Sequence, residues 1–138
     1  MDTKALYTRI EEDRKSQNRR LDGEKNAVDI LTDLLEQLPE PDSTSTWSFM
    51  VNVNYLPENE DAAEDRRSEL QLIFHTPATR EIDMYSGSLY YQFSRTVDDK
   101  ELVCKIQKAS LAKDCVLETE TYTGQRYKVV CAPVEEAV

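Results

Sequence analysis

Glycine and histidine are scarce in this chain of 138 residues, and their scarcity excludes several kinds of functional site. The three glycines, Gly23, Gly87 and Gly124, lie too far apart to form the clustered-glycine loops that hold nucleotide phosphates. The single histidine, His75, has no metal-binding or catalytic motif near it, and we expect a polar residue at the end of a strand. The sequence therefore predicts no catalytic, cofactor-binding or metal-binding residues, and we expect a protein without enzymatic activity.

Long apolar runs are also absent. No stretch of about 18 apolar residues is present, so no membrane-spanning helix is predicted, and the charged N-terminus lacks the apolar core of a signal peptide. Three cysteines, Cys104, Cys115 and Cys131, are an odd number without metal-binding spacing. Each falls in an apparent strand, where a free cysteine packs as a small apolar side chain. These observations predict a cytoplasmic protein with three reduced cysteines.

The first 38 residues are expected to be helical. Within them, one series of residues from Tyr7 onward has the alternating three- and four-residue spacing of a coiled-coil seam, the stripe along which two helices pack. We predict self-association through the apolar residues Tyr7, Ile10, Leu21 and Val28 of this seam. No apolar residue occurs between Ile10 and Leu21, so that stretch has no side that a core could hold. Gly23 is unfavourable inside a helix. Two alternatives remain: one long projecting helix, or a short arm joined to a packed helix over 24–38.

From Trp47 onward the hydrophobic period changes to two, which predicts strands, including one over 69–74. The connections are too short for parallel crossovers. The predicted fold class is α+β, with the long N-terminal helix packed on an antiparallel β-meander of six or seven strands. The expected organisation is a helical arm over 1–22, one α+β domain over 23–132 and a flexible tail over 133–138.

Negative charge is concentrated in one segment. The net charge is −10, and residues 39–65 contribute seven of these charges because they contain seven acidic and no basic side chains. The densest part, residues 57–65, has three interpretations: a solvated hairpin loop, a docking surface for a basic partner, or a mimic of a nucleic-acid backbone. Its candidate partner-binding residues are Glu58, Glu60, Asp61, Glu64 and Asp65. Direct binding of nucleic acid is not expected, because the basic residues are dispersed among acidic ones.

Three tyrosines complete the candidate binding residues. Tyr85, Tyr90 and Tyr122 are predicted to lie on the sheet face opposite the core. Tyrosine in that position is typical either of cross-strand packing or of a protein interface.

Two functions from different classes remain. The leading hypothesis is a protein-binding module, a small acidic adaptor or inhibitor that binds a protein with a basic surface, including inhibitors of nucleic-acid-binding proteins or enzymes. It is expected to form a homo-oligomer through the N-terminal helix. The competing hypothesis is a small-molecule-binding or enzymatic α+β domain, with a pocket between the helix and a curved sheet and with Trp47, His75 and tyrosines at its mouth.

Overall fold

The computed structural model describes residues 3–121 and 123–132. It confirms the predicted fold class: the chain is α+β, with one long N-terminal helix, a second helix and seven mostly antiparallel strands. The elements are α1 (Thr3–Leu35), β1 (Ser43–Thr46), β2 (Met50–Tyr55), α2 (Glu60–Phe74), β3 (Thr79–Ile82), β4 (Leu89–Val97), β5 (Lys100–Gln107), β6 (Cys115–Thr121) and β7 (Gln125–Cys131). The predicted tail over 133–138 lies outside the described residues.

The strands form two sheets. A five-stranded sheet has the order β1-β2-β5-β4-β3, and β6 pairs with β7 in a separate two-stranded sheet. In the five-stranded sheet β2 lies beside β5, and α2 separates β2 from β3 in the chain. The β3–β4 pair is antiparallel, with Ile82 opposite Leu89.

The chain forms two compact units, Met1–Val53 with Ser94–Val103, and Asn54–Phe93 with Cys104–Val138. Each has its own set of buried apolar side chains. In the first unit these are Ala27, Leu31, Leu34, Val51, Val53, Leu102 and Val103. In the second unit they are Tyr55, Ala63, Leu70, Phe74, Tyr91, Phe93, Cys104, Ile106 and Ala109.

Helix α1 is continuous from Thr3 to Leu35, which decides between the two alternatives for the N-terminal segment. Gly23 lies inside it and marks a close approach: a Cβ there would lie 2.8 Å from Ser48 Oγ and 3.1 Å from Ser48 Cβ. Ser48 belongs to the turn between β1 and β2, and its carbonyl accepts a hydrogen bond of 2.7 Å from Lys100 Nζ. Gly23 thus makes the helix intrinsically less stable than alanine would, but it allows this turn to pack closely on the helix.

The strand predicted over 69–74 is wrong, because these residues form the C-terminal half of α2. The helix begins at an asparagine cap, where Asn59 Oδ1 accepts from the Ala62 amide at 2.9 Å. It buries Ala63, Leu70 and Phe74 on one side, with three- and four-residue spacing that a helix aligns. Leu72, which the strand prediction placed beside Phe74 and Leu70, is instead 77% exposed.

The prediction of three reduced cysteines is also wrong for two of them. Cys115 and Cys131 lie directly opposite each other on β6 and β7 and form a disulfide. Cys104 is free and buried, and burial raises the pKa of its thiol to about 12.

Among the described residues, no helix is both long and apolar enough to span a bilayer.

Candidate protein-binding surfaces

The N-terminal part of α1 is exposed around its whole circumference. Every residue from 3 to 22, which we call the arm, is exposed, and burial begins only in the last third of the helix with Ala27, Leu31 and Leu34. The arm carries large apolar side chains all the same: Leu6 is 40% exposed, Tyr7 70%, Ile10 51% and Leu21 51%.

These four apolar side chains lie on one stripe of the helix, because their spacing keeps them within about 100° of one another at 3.6 residues per turn. Val28 continues the same stripe into the packed part of α1, where it is half-buried. The structure therefore brings all four residues predicted for self-association, Tyr7, Ile10, Leu21 and Val28, to one side of a single helix.

Charged groups on the arm are held by local contacts. Arg14 Nη1 lies 3.2 Å from Glu11 Oε1, and both side chains are more than half exposed. Arg19 Nε donates a hydrogen bond of 3.4 Å to the Lys15 carbonyl. Pairs of this kind contribute about 0.3–0.5 kcal/mol each, too little to hold a helix that has no packed face.

The densest part of the acidic segment, residues 57–65, begins as a loop and continues as the first turns of α2. Glu60 and Asp61 occupy the first turn, where the positive end of the helix dipole stabilises carboxylates. The position of Glu60 and Asp61 at the start of a helix therefore explains part of the acidic charge in this segment. The interpretation of residues 57–65 as a solvated hairpin loop is therefore wrong from Glu60 onward, where α2 begins.

Several acidic residues of this segment make identifiable contacts. Glu60 Oε2 accepts a hydrogen bond of 3.1 Å from Ser110 Oγ, and the Glu58 carbonyl accepts one of 2.6 Å from Lys108 Nζ. Asp61 and Asp65 are exposed one helical turn apart. Leu72 lies two turns further along the same face, so α2 presents an acidic end and an exposed apolar side chain on one surface.

Glu64 belongs to a different arrangement, a polar cluster around the ring of Tyr91. The Tyr91 hydroxyl donates a hydrogen bond to Glu64 Oε1, and Arg67 Nε donates to Glu64 Oε2 at 2.9 Å. The Arg67 and Arg80 guanidinium carbons lie 5.7 and 5.5 Å from the centre of the Tyr91 ring. The hydrogen bond from Tyr91, followed by the bond and charge of Arg67, lowers the pKa of Glu64, while partial burial opposes this. Glu64 therefore links α2 to β4 through its hydrogen bond with Tyr91.

Sequence reasoning missed the role of Tyr91. The ring is only 3% exposed, as in a purely apolar core position, but its hydroxyl donates to a carboxylate 27 residues earlier. No local signal could have found that pair, because the segment containing Glu64 was interpreted as a loop and not as a helix facing β4.

Replacing Tyr91 with phenylalanine is expected to raise the pKa of Glu64 towards its usual value of 4.5 and to reduce the free energy of unfolding by about 1–2 kcal/mol. The sign follows from linkage. Because folding lowers the pKa of Glu64, its contribution to stability is present above about pH 4.5 and is lost as the pH falls through the folded-state value. The stability difference between wild type and Tyr91→Phe should thus shrink below that pH.

A pH titration of the Glu64 side-chain carboxyl by NMR, with denaturant unfolding at several pH values, checks this expectation. Tyr90→Phe, one residue away on β4, is the matched control and should leave the pKa of Glu64 unchanged. Equal pKa values of Glu64 in wild type and Tyr91→Phe would contradict the assigned hydrogen bond.

The predicted tyrosine surface is only partly described. Tyr85 lies in the turn after β3 and is 71% exposed, with its amide donating to Asp83 Oδ1 at 2.9 Å. Tyr90 is half-buried on β4 opposite Glu81, with Lys105 Nζ 5.3 Å from its ring centre. Burial and then the charges of Glu81 and Asp83 raise the pKa of Tyr90. Tyr122 lies outside the described residues.

A mostly apolar cavity of about 310 Å³ lies in the second unit. Its lining consists of Arg80, Glu81, Ile82, Leu89, Leu111, Ala112, Cys115 and Val129. The lining does not include Trp47 or His75, the residues proposed for a pocket mouth. Trp47 is 55% exposed in the turn between β1 and β2, and His75 caps the end of α2 in the left-handed conformation, with φ 57°. In residues 3–121 and 123–132, no three His, Cys, Asp or Glu side chains converge as metal ligands would.

Fold and surfaces together define a small α+β protein that exposes one amphipathic helix and one acidic helix face. No protein-family model, curated protein or solved structure matches this chain.

Proposed function

We propose that the chain is a non-enzymatic protein-binding module, a small acidic adaptor or inhibitor that acts by surface contact. The observation that carries the proposal is the arm of α1. All 20 residues of the arm are exposed, and a helix whose amphipathic face is not packed is marginally stable in water, because most helical stability in proteins comes from packing that face. An arm with four exposed large apolar side chains on one stripe is therefore best explained as one half of an interface.

A second surface supports a partner with a basic face. Asp61 and Asp65 project from the N-terminal half of α2, beside Glu58 and Glu60, and Leu72 adds an exposed apolar side chain to the same helix face. Complementary charge accelerates encounter and selects partners, while an apolar contact contributes affinity. Tyr85 is a further candidate contact because most of its side chain is exposed. Inhibition of a nucleic-acid-binding protein belongs to this proposal, since such proteins carry basic surfaces.

The cytoplasm remains the proposed location. The Cys115–Cys131 disulfide is relevant to it, because glutathione and thioredoxin keep most cytoplasmic thiols reduced. In the reduced state that the cytoplasm favours, the β6–β7 pair would lack this bond and would open more often.

Affinity capture with matched variants tests the binding function. The baits are wild type, Ile10→Ser with Leu21→Ser, Asp61→Asn with Asp65→Asn, and a control, Asp98→Asn with Asp99→Asn. The control removes the same charge from the β4–β5 turn, where asparagine tolerates the positive φ values of 47° and 63°. Captured proteins are then purified and their affinities measured at two salt concentrations.

A partner of the acidic face should bind the Asp61/Asp65 variant roughly tenfold more weakly, lose affinity for wild type at high salt, and bind the control normally. A partner of the arm should be lost only with the Ile10/Leu21 variant. Capture that is the same for all four baits would contradict the proposed function.

The alternative is a small-molecule-binding domain, and the 310 Å³ cavity is the observation that favours it. Its apolar lining suits a small apolar ligand without charge. Leu111→Trp should fill the cavity and abolish binding of an apolar fluorescent dye to the native protein. Equal dye binding by wild type and variant would remove this alternative.

A further inference from the structure

We propose that the arm of α1 pairs with the arm of a second copy in antiparallel orientation, with Ile10 of each chain opposite Leu21 of the other. The inference rests on the proposed function, because it names a partner for the same exposed helix. It goes further in fixing orientation and register, which follow from the order of charges along the arm.

The seam of the arm has the spacing of heptad positions a and d. Tyr7, Arg14 and Leu21 follow one another at seven-residue intervals as a positions, and Ile10, Gln17 and Glu24 do so as d positions. All except Glu24, which is half-buried, belong to the arm and are exposed. The seam runs from Tyr7 to Glu24, which are about 26 Å apart along the helix axis, and it is exposed except at Glu24.

In an antiparallel pair each a residue lies opposite a d residue of the other chain. With Ile10 opposite Leu21, the central layers pair Arg14 with Gln17, a donor with an acceptor, and the outer layers pair Tyr7 with Glu24. By symmetry each of these layers occurs twice. Each polar layer thus contains a donor and an acceptor that can form a hydrogen bond, and each of the two apolar layers contains only Ile10 and Leu21.

A parallel pair is less favourable for the same sequence. It would place Arg14 against Arg14 and Glu24 against Glu24, so two layers of the seam would bring like charges together. Arg20 at position g would also face Lys25 at the following e position. Charge complementarity therefore selects the antiparallel orientation.

The flanking positions support the same register. In antiparallel pairs g residues lie beside g residues of the other chain, which brings Asp13 next to Arg20 twice. Lys4 and Lys25 meet as like charges at the ends, where Asp29 Oδ2 lies 3.3 Å from Lys25 Nζ and offsets the repulsion. A shift of one heptad towards the packed end would place Tyr7 against Leu31, which is 1% exposed and cannot be reached.

Sedimentation equilibrium of the full chain tests the pairing, with a charge swap to test its geometry. We expect wild type to dimerise, and Asp13→Arg or Arg20→Glu alone to weaken the dimer about tenfold, because each change turns two opposite-charge contacts into like-charge contacts. The double variant Asp13→Arg/Arg20→Glu should regain wild-type affinity. An equimolar mixture of the two single variants should form a heterodimer tighter than either homodimer.

The matched controls are Glu12→Arg and Arg19→Glu, at f positions that point away from the seam, and both should dimerise like wild type. Circular dichroism must show equal helix content in all variants. Dimerisation of wild type without rescue in the double variant would overturn the antiparallel register. A wild-type monomer at several hundred micromolar would overturn self-association, while the capture experiment with the Ile10/Leu21 variant would still decide whether the arm binds another protein.

Discussion

Replacing Phe74 with alanine is expected to lower the free energy of unfolding by about 3–5 kcal/mol, the range observed when a fully buried aromatic side chain leaves a cavity. Phe74 is 0% exposed at the end of α2, and its ring centre lies 5.3 Å from that of Phe93, which is 2% exposed. Two buried rings at this distance also contribute a packing term of about 0.5–1.5 kcal/mol beyond their buried area. Denaturant unfolding followed by circular dichroism measures the loss.

Leu72→Ala is the matched control, since Leu72 is on the same helix and 77% exposed. We expect a change within about 0.5 kcal/mol. The pair also distinguishes helix from strand in this segment, because residues two apart share one face of a strand but lie on different sides of a helix. Similar losses for Phe74→Ala and Leu72→Ala would contradict α2.

Removing the Cys115–Cys131 disulfide is expected to destabilise the β6–β7 sheet by about 3 kcal/mol. The bond closes a loop with a sequence separation of 16, and a disulfide of that span restricts the unfolded chain by roughly this amount. A two-stranded sheet is marginally stable on its own. Its apolar residues give limited help, because Val116 is 55% exposed and Leu117 40%. Without the disulfide the paired state of β6 and β7 should open frequently.

Hydrogen exchange of the β6 and β7 amides, with and without dithiothreitol, measures this change. The amides of both strands should lose most of their protection on reduction, whereas those of β2 should change little. A variant with alanine at both positions 115 and 131 is the control and should not respond to the reductant. Unchanged protection of β6 and β7 in reduced wild type would show that side-chain packing alone holds this pair.

Local patterns were enough to predict some features of the fold. The 3-4 seam over α1 and the period-two alternation of Val51, Val53 and Tyr55 in β2 both depend on near neighbours in the sequence, and the structure shows both. The turn at Gly87 also depends on a local property, because Gly87 adopts a φ of 73° that only glycine accepts easily.

The segment over 69–74 was misjudged because its side chains satisfy two periods at once. Leu70, Leu72 and Phe74 alternate as a strand requires, yet Leu70 and Phe74 are also spaced as a helix requires. The deciding signal lay ten residues earlier, where Asn59 is followed by Glu60 and Asp61 as at a helix N-terminus. Acidic density in that stretch led to its interpretation as a loop.

Contacts between distant residues could not be predicted from one sequence. The disulfide depends on the register of β6 against β7, which puts Cys115 opposite Cys131, and three cysteines alone do not specify any pair. The hydrogen bond from Tyr91 to Glu64 likewise depends on which face of α2 lies against β4. Both follow from packing, which local periodicity does not encode.

The uneven burial of α1 has a kinetic consequence within one helix. Amides near Leu31 can exchange their hydrogens only when the packed part of the first unit opens, whereas amides of the arm exchange through local fraying. In a monomer the protection of these amides should fall steeply between Ala27 and Leu21. A bound partner would move this boundary towards Tyr7, so the position of the boundary along α1 reports occupancy of the arm residue by residue.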